Sequence, residues 1–383
     1  MGPTRSLARR LLLAAARVDS TDADLIVLLD QVRAAGGLDS VIRLARAHGV
    51  APLLGVRLSR IPTVTSEDGD WLVADRRAAL ARHLHANKTV AAVAAVVERP
   101  FVVFKGPALA RWYAEPAVRT YSDVDILVRR ADFVAVLRDL LASDFAELSF
   151  NWHGFLAHQV AEVPLEHGVS CVDLHWDVLA TGSLRQQFEV DVDGMVQRAE
   201  WIEIGGTGTL TFDSADTLLH LCVGAGLDGG RRLLQLVDID RVVRGAPIDW
   251  PDFCERARRS RCRALSSAVL ARSRRLLGTP VPDEVVKWLS PFAGWDELNR
   301  VIGERRLVPA RVAKGVGSGL VVSAGRETWP ATVAAMLASA AEVVRVRLGG
   351  RDLTAAGGEL DWQAASSAVD ADRERYLRWV EAG

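Results

Sequence analysis

Two aspartates one residue apart, Asp123 and Asp125 in "YSDVDILV", stand inside an apolar run. Acidic residues are depleted in strands, and an unpaired buried carboxylate is costly. A strand alternates its side chains between faces, so the two acids share one face and Val124, Ile126 and Val128 take the other. The apolar face can pack under a helix. The acidic face presents two carboxylates roughly 7 Å apart. That pairing suits hard divalent cations, which want oxygen ligands and relieve the repulsion between the acids.

The chain contains its own control. A second D-x-D, Asp238 and Asp240 in "LVDIDRVV", lies among Leu233, Leu234, Leu236, Val237, Val242 and Val243, which follow helical spacing. Positions two apart on a helix do not face together. This copy therefore reads as structural, with at most one aspartate left for a site. In "VSCVDLHWDV", by contrast, Val172, Leu174 and Trp176 alternate with Asp173 and His175. If this strand lies beside the first, Asp123, Asp125 and Asp173 converge on a site for two Mg²⁺ ions. Such ions can hold a triphosphate and activate an attacking oxygen. His175 shares the polar face, and its spacing serves a structural histidine as well as a catalytic one.

Upstream, "VVFKGPALARWY" sets Lys105 and Gly106 at a strand-to-helix junction. Glycine lets backbone N–H groups approach phosphate, a helix N-terminus favours anions, and Lys105 adds a point charge. Arg119, four residues before Asp123, is expected to reach the same phosphates. No Walker A loop is present, and the glycine-rich "KGVGSG" at 314–319 lacks the strand–helix context of a dinucleotide site.

The elements that must position these residues follow from periodicity. Residues 5–60 and 71–97 carry helical patterns, and Ser20 or Thr21 can cap "ADLIVLLDQVRAA". From 98 the texture changes to strand, glycine, helix, strand, helix, and then to short alternating pieces: "AELSFNW", "HQVAEV", "VSCVDLHWDV", "AEWIEI" and "TLTF". Beyond Asp213 the chain is helical again. The reading is an α+β protein: a helical region 1–97, an α/β core 98–213 with a small mixed sheet, and a helical region 214–383.

Composition narrows the function classes. The net charge of -1 gives no global case for a nucleic-acid or membrane binder. Four cysteines (Cys171, Cys222, Cys254, Cys262) form no CxxC pair, which argues against a zinc ribbon or a disulfide framework and suits a reducing cytoplasm. The longest uncharged stretches fall short of the roughly 18 residues of a membrane span. Of the 47 basic residues 43 are Arg, the usage of a GC-rich bacterial genome. Charge is also segregated. Residues 131–228 hold 16 acidic and 3 basic residues, whereas 229–277 hold 12 Arg and 5 acidic residues. The Arg-rich 256–275 reads first as a solvated face, and otherwise as a surface for an RNA acceptor.

Together, "FKGPALARWYAEPAVRTYSDVDILV" and "VDLHWDVL" resemble the polymerase-β-like nucleotidyltransferase superfamily. More closely they resemble a bacterial nucleotidyltransferase family with LKG, R-x-x-x-D-x-D and (E/D)-L-H-W motifs. The similarity is specific over about residues 100–178 and weaker over 214–244. It implies Mg²⁺-dependent transfer of a nucleotidyl group from an NTP, most simply ATP, to an acceptor. Asp123, Asp125 and Asp173 take the metal-ligand positions, and Lys105 with Gly106 takes the phosphate loop. Two departures stand out. Pro107 follows Gly106 where the superfamily has Gly or Ser, which removes one N–H. The family's later histidine falls about where this chain has Val223 to Gly226. Transfer to a small molecule, peptide or RNA end is the leading expectation. A nucleotide-binding or scaffold protein with a degenerate site is the alternative.

Overall fold

The computed structural model describes residues 3–62, 66–148, 151–304, 320–347 and 369–383. The "KGVGSG" segment lies outside the described residues. The expected α+β architecture is present: a seven-stranded mixed sheet flanked by helices on both sides in sequence.

The strands are β1 Val102–Val103, β2 Asp123–Leu127, β3 Ala146–Glu147, β4 Glu162–His167, β5 Ser170–His175, β6 Glu200–Ile204 and β7 Thr207–Thr211. Their order is β3-β4-β5-β2-β1-β7-β6. Strand β2 runs antiparallel to β1 and parallel to β5, which is the adjacency the sequence reading required. The antiparallel β1–β2 pair places the residues after β1, Lys105 and Gly106, beside the start of β2. Phe104 N–H donates to Asp125 C=O at 3.4 Å and extends that ladder by one rung.

The two faces of the sheet have different coverings. Val124, Ile126 and Val128 join Val103, Val172 and Leu174 in a core closed by Phe133, Val134, Leu137 and Leu140 of the helix Arg130–Leu141. This is the apolar face expected to pack under a helix, and each such buried side chain contributes about 1.5–3 kcal/mol. Val90 and Val93 of the helix Ser66–Val96 pack here too. So do Tyr376, Leu377 and Val380 of the chain's last helix, Val369–Glu381.

The other face carries the acids at one end and Phe104, Leu127 and Phe212 further along. It is covered by helices from both ends of the chain, which share one core: Leu11, Leu25 and Leu54 with Leu218, Val237, Leu265 and Leu277. Thr21 caps the helix Asp22–Ala34 in a reciprocal box with Asp24. The segment "LARWYAE", expected as a helix, is not one: the single helical turn Pro107–Ala110 ends within it, residues 111–115 are turn and bend, and a 3-10 turn follows at Pro116–Val118. Proline at 107 and 116 opens each turn without a donor to lose.

Candidate active site

The parallel register of β2 and β5 aligns Asp125 with Asp173 and Asp123 with Cys171. Period-two alternation then gathers Asp123, Asp125, Cys171, Asp173 and His175 on one face. Within this group, Asp125, Asp173 and His175 each offer a ligand atom, and the three atoms lie within 4.8 Å of one another. Asp123 stands at the mouth of the strand, half-buried and outside that set. Asp125, only 4% exposed, is the centre.

Four neighbours set the electrostatics of Asp125 and its partners. The Lys105 ammonium donates to Asp125 Oδ1 at 2.9 Å. Burial alone would pull the Lys105 pKa down, but Asp125, with Glu162 and Asp123, outweighs it and holds the amine at about 12. For Asp125, burial opposes ionisation, yet Lys105 and His175 prevail and keep the carboxyl well below its usual range. Asp173 has no such cation in contact. Burial pushes it up to about 7; His175 opposes the rise, and Asp125, Glu162 and Asp123 add to it. Asp123 is also raised, by burial and by the charge of Asp125. Of three acids in one place, one is thus held ionised and two bind their protons more tightly than usual. A bound cation would relieve the repulsion that raises the two.

His175 lies beneath them, 3% exposed. Its Nε2 is 3.3 Å from Asp125 Oδ1 and its Nδ1 is 3.4 Å from Glu162 Oε2. Neither contact has hydrogen-bond geometry. Burial lowers its proton affinity, but the adjoining carboxylates reverse this and raise it. Glu162 reaches the ring because β4 pairs with β5 in the register Glu162 to His175.

Gly106 closes the site from above. Its φ of +49° is open to glycine, and a Cβ there would stand 3.0 Å from the Asp123 carbonyl oxygen. The backbone needs glycine twice over. Pro107 begins the following turn, so the loop presents one donor fewer than a Gly-Gly or Gly-Ser loop would.

Arg119, expected to reach phosphate, is bound in this structure to a carboxylate of the helix Leu233–Gly245. Its Nε and Nη2 donate to the two oxygens of Asp238 at 2.8 and 2.9 Å, and Tyr113 Oη donates to Asp238 Oδ1 at 2.6 Å. Arg119 is 7% exposed and Asp238 3%. A guanidinium held bidentately in a buried pair cannot leave it for phosphate without stranding the carboxylate. Its remaining donor, Nη1, reaches Gly106 C=O at 3.2 Å, so Arg119 positions the loop. The helical D-x-D is thereby explained. Asp238 anchors Arg119, while Asp240 turns elsewhere, accepting from Arg244 Nε at 2.9 Å and from Thr279 Oγ1 at 2.8 Å.

A histidine does come from the helix Ser214–Leu227, but it is His220, three residues before the expected place. Its ring meets Phe104 edge-on at 5.0 Å, and Phe104 meets His175 at 5.1 Å. Burial, reinforced by the Lys105 charge, pushes His220 down to about 3, so it is neutral. Glu162 and His220 escaped the sequence reading. The alternation of Ala161, Val163 and Leu165 around Glu162 was the available signal for the first; only tertiary packing reveals the second.

Much of the Arg-rich 256–275 is paired within the fold. Arg256 pairs with Asp213 at 2.7 Å, with Asp216 at 2.9 Å and with Asp252; Arg258 and Arg259 share Glu255; Arg261 meets Glu189 at 2.7 Å. Several of these partners come from the acidic stretch 131–228. No described helix is long and apolar enough to cross a membrane.

A family model over more than half of the sequence places the chain among the nucleotidyltransferases. More narrowly, it belongs to the family described as "uncharacterised nucleotidyltransferase", whose model matches residues 35–278. Among solved structures it is similar to an antigenic nucleotidyltransferase-like protein from Paracoccidioides brasiliensis. That match has 19% identity, 55% of this chain and 91% of the other covered, and a TM-score of 0.35, a likeness too distant to carry argument. No curated relative matches the chain.

Proposed function

We propose that the protein transfers a nucleotidyl group from an NTP, most simply ATP, to an acceptor nucleophile, releasing pyrophosphate. The observation that carries this reading is the register of β2 and β5, which sets Asp125 opposite Asp173 with Asp123 beside them on one face. This donor chemistry fits divalent cations. Asp123, Asp125 and Asp173 are the residues that would hold them, Mg²⁺ being the simplest choice. Bound cations would neutralise the triphosphate and favour loss of pyrophosphate.

The remaining work falls to the chain. Lys105, with its stem on the loop and its ammonium at the acids, is positioned to turn between Asp125 and a phosphate oxygen. Gly106 lets the backbone approach that phosphate. Asp173, opposite Asp125 in the register, is placed to draw the proton from an acceptor hydroxyl or amine. The internal pairing of the Arg-rich stretch leaves an RNA end less support than a small molecule or peptide. The test is incubation with labelled NTPs and cell extract, followed by identification of the labelled species. Asp125→Asn is expected to reduce transfer to background while the circular dichroism spectrum is kept; undiminished transfer by that variant would sink the proposal.

A second reading is a protein that binds nucleotide without turnover. It is favoured by Pro107, which removes a loop donor, and by Lys105, which already neutralises Asp125. Calorimetric titration with NTP and Mg²⁺ beside a turnover assay separates the two: heat of binding without pyrophosphate supports this second reading.

A further inference from the structure

A buried imidazole with both nitrogens lacking hydrogen bonds calls for an explanation. His175 is such a group, 3% exposed, with Nε2 and Nδ1 both unsatisfied. Each nitrogen nevertheless faces a carboxylate at contact distance: Nδ1 faces Glu162 Oε2 at 3.4 Å, and Nε2 faces Asp125 Oδ1 at 3.3 Å. Asp125, Asp173 and His175 each offer an atom to one 4.8 Å cluster. A ligating histidine usually turns its other ring nitrogen to a carboxylate, which fixes the tautomer and the ring's orientation. Glu162 stands where that carboxylate is needed, held by the β4–β5 register.

We propose that His175 is a metal ligand through Nε2, with Glu162 orienting the ring through Nδ1–H. The site then has two unlike positions that share Asp125. One, on the Asp123 side, is all carboxylate and suits Mg²⁺. The other, formed by Asp125, Asp173 and His175, contains an imidazole and selects a first-row transition dication, because imidazole nitrogen is a poor donor to Mg²⁺ and a good one to transition metals. Binding releases to solvent the proton that the ring carries on Nε2 when it is charged; the Nε2 lone pair is donated to the cation, and the other ring proton stays on Nδ1. Lys105 must release Asp125 when the cation arrives. Its side chain, 38% exposed, has room to do so. The inference deepens the nucleotidyltransferase reading and rests on it for its place in the chemistry, yet the binding event can be read without turnover.

The test uses the full-length protein titrated with Mn²⁺ and followed by pulsed electron paramagnetic resonance, which detects nitrogen bonded directly to the ion. The expected result is a coordinated-nitrogen modulation in the wild type that changes to the ¹⁵N pattern when histidine is ¹⁵N-labelled. His175→Gln should abolish the modulation, and His220→Gln should keep it. Glu162→Gln should keep the nitrogen but weaken Mn²⁺ affinity by about 10- to 100-fold. Bound Mn²⁺ with no nitrogen modulation in the wild type overturns the inference, as does a modulation that survives in His175→Gln. The wild-type labelling result stands even if His175→Gln misfolds. Transfer supported by Mg²⁺ without a nitrogen signal would leave the enzyme reading intact and remove this one; a nitrogen signal without transfer would do the reverse.

Discussion

Asp173 and Asp125 are opposite residues on neighbouring strands, yet their proton affinities lie far apart. Contact with Lys105 separates them: the ammonium is 2.9 Å from Asp125 and has no such contact with Asp173. A consequence can be measured in metal-free protein. A carboxyl raised to about 7 on folding binds its proton more tightly in the folded than in the unfolded chain. Its stability contribution is therefore fullest below the ordinary carboxylate pKa and is lost as pH rises towards 7. Asp173→Asn removes that loss. In EDTA the variant should melt several degrees above wild type at pH 8 and level with it at pH 4, and an equal difference at both pH values would refute the assignment. Both aspartates and their shared polar face were legible from alternation alone. The Lys105 contact was not, because a lysine ammonium five bonds from its Cα can point to phosphate or to carboxylate with the same sequence around it.

At the level of elements, the short turn after β1 is held in place from a distance. Arg119 joins the carbonyl of Gly106 to Asp238 on the helix Leu233–Gly245, so a C-terminal helix sets the conformation of a loop more than a hundred residues earlier. That helix is itself latched to the N-terminal region: Leu233 N–H donates to His48 Nδ1 at 3.2 Å and Leu234 N–H to His48 C=O at 3.2 Å. These bonds satisfy two of the donors that a helix start leaves open. Removing one member of a buried pair strands the other. Asp238→Ala is expected to cost about 3–5 kcal/mol in urea unfolding. The double change Arg119→Met with Asp238→Leu should recover much of that loss while still lowering any transfer activity. A cost under 1 kcal/mol for Asp238→Ala would show that the clamp is slack. Helical spacing identified the second D-x-D as structural, since Asp238 and Asp240 diverge by the helix period. Nothing in spacing tells an arginine near a phosphate loop from an arginine that shapes it. That difference lies in the partner's position, which is long-range.

Across the whole molecule, the chain ends meet the core on opposite faces. Helices from before and after the sheet share one apolar core over the acidic side, and the last helix returns to the other side. There Tyr376 Oη donates to Val160 C=O at 2.8 Å, and Trp176 Nε1 reaches Tyr376 Oη at 3.3 Å. Trp176 directly follows His175, and Arg130 and Arg185 lie over its ring at 4.5 and 4.3 Å. The last helix thus braces the end of β5 from behind. Tyr376→Ala is expected to destabilise the protein by about 3–5 kcal/mol, as for other large buried aromatics. Hydrogen exchange at 171–176 should quicken with it. Unchanged exchange there would detach the helix from the site. The acidic and basic segments also meet in space, where Arg256 pairs with Asp213 and Asp216, so the uneven charge distribution along the chain is partly evened out in the fold.

By itself the sequence determined what is local. Period-two alternation set Asp123, Asp125, Asp173 and His175 on polar faces, and period 3.6 turned the two acids of the helical D-x-D apart. The switch between the two periods marked out the sheet segment. Each of these depends only on backbone repeat geometry and on near neighbours in the chain. Tertiary structure alone decided which strand lies beside which and which cation answers which carboxylate. It alone paired Arg119 with Asp238 and brought Glu162, His220 and the final helix to the site. Those outcomes depend on register and on pairings across tens to hundreds of residues, where many partners satisfy the same local pattern and only the closed core selects one.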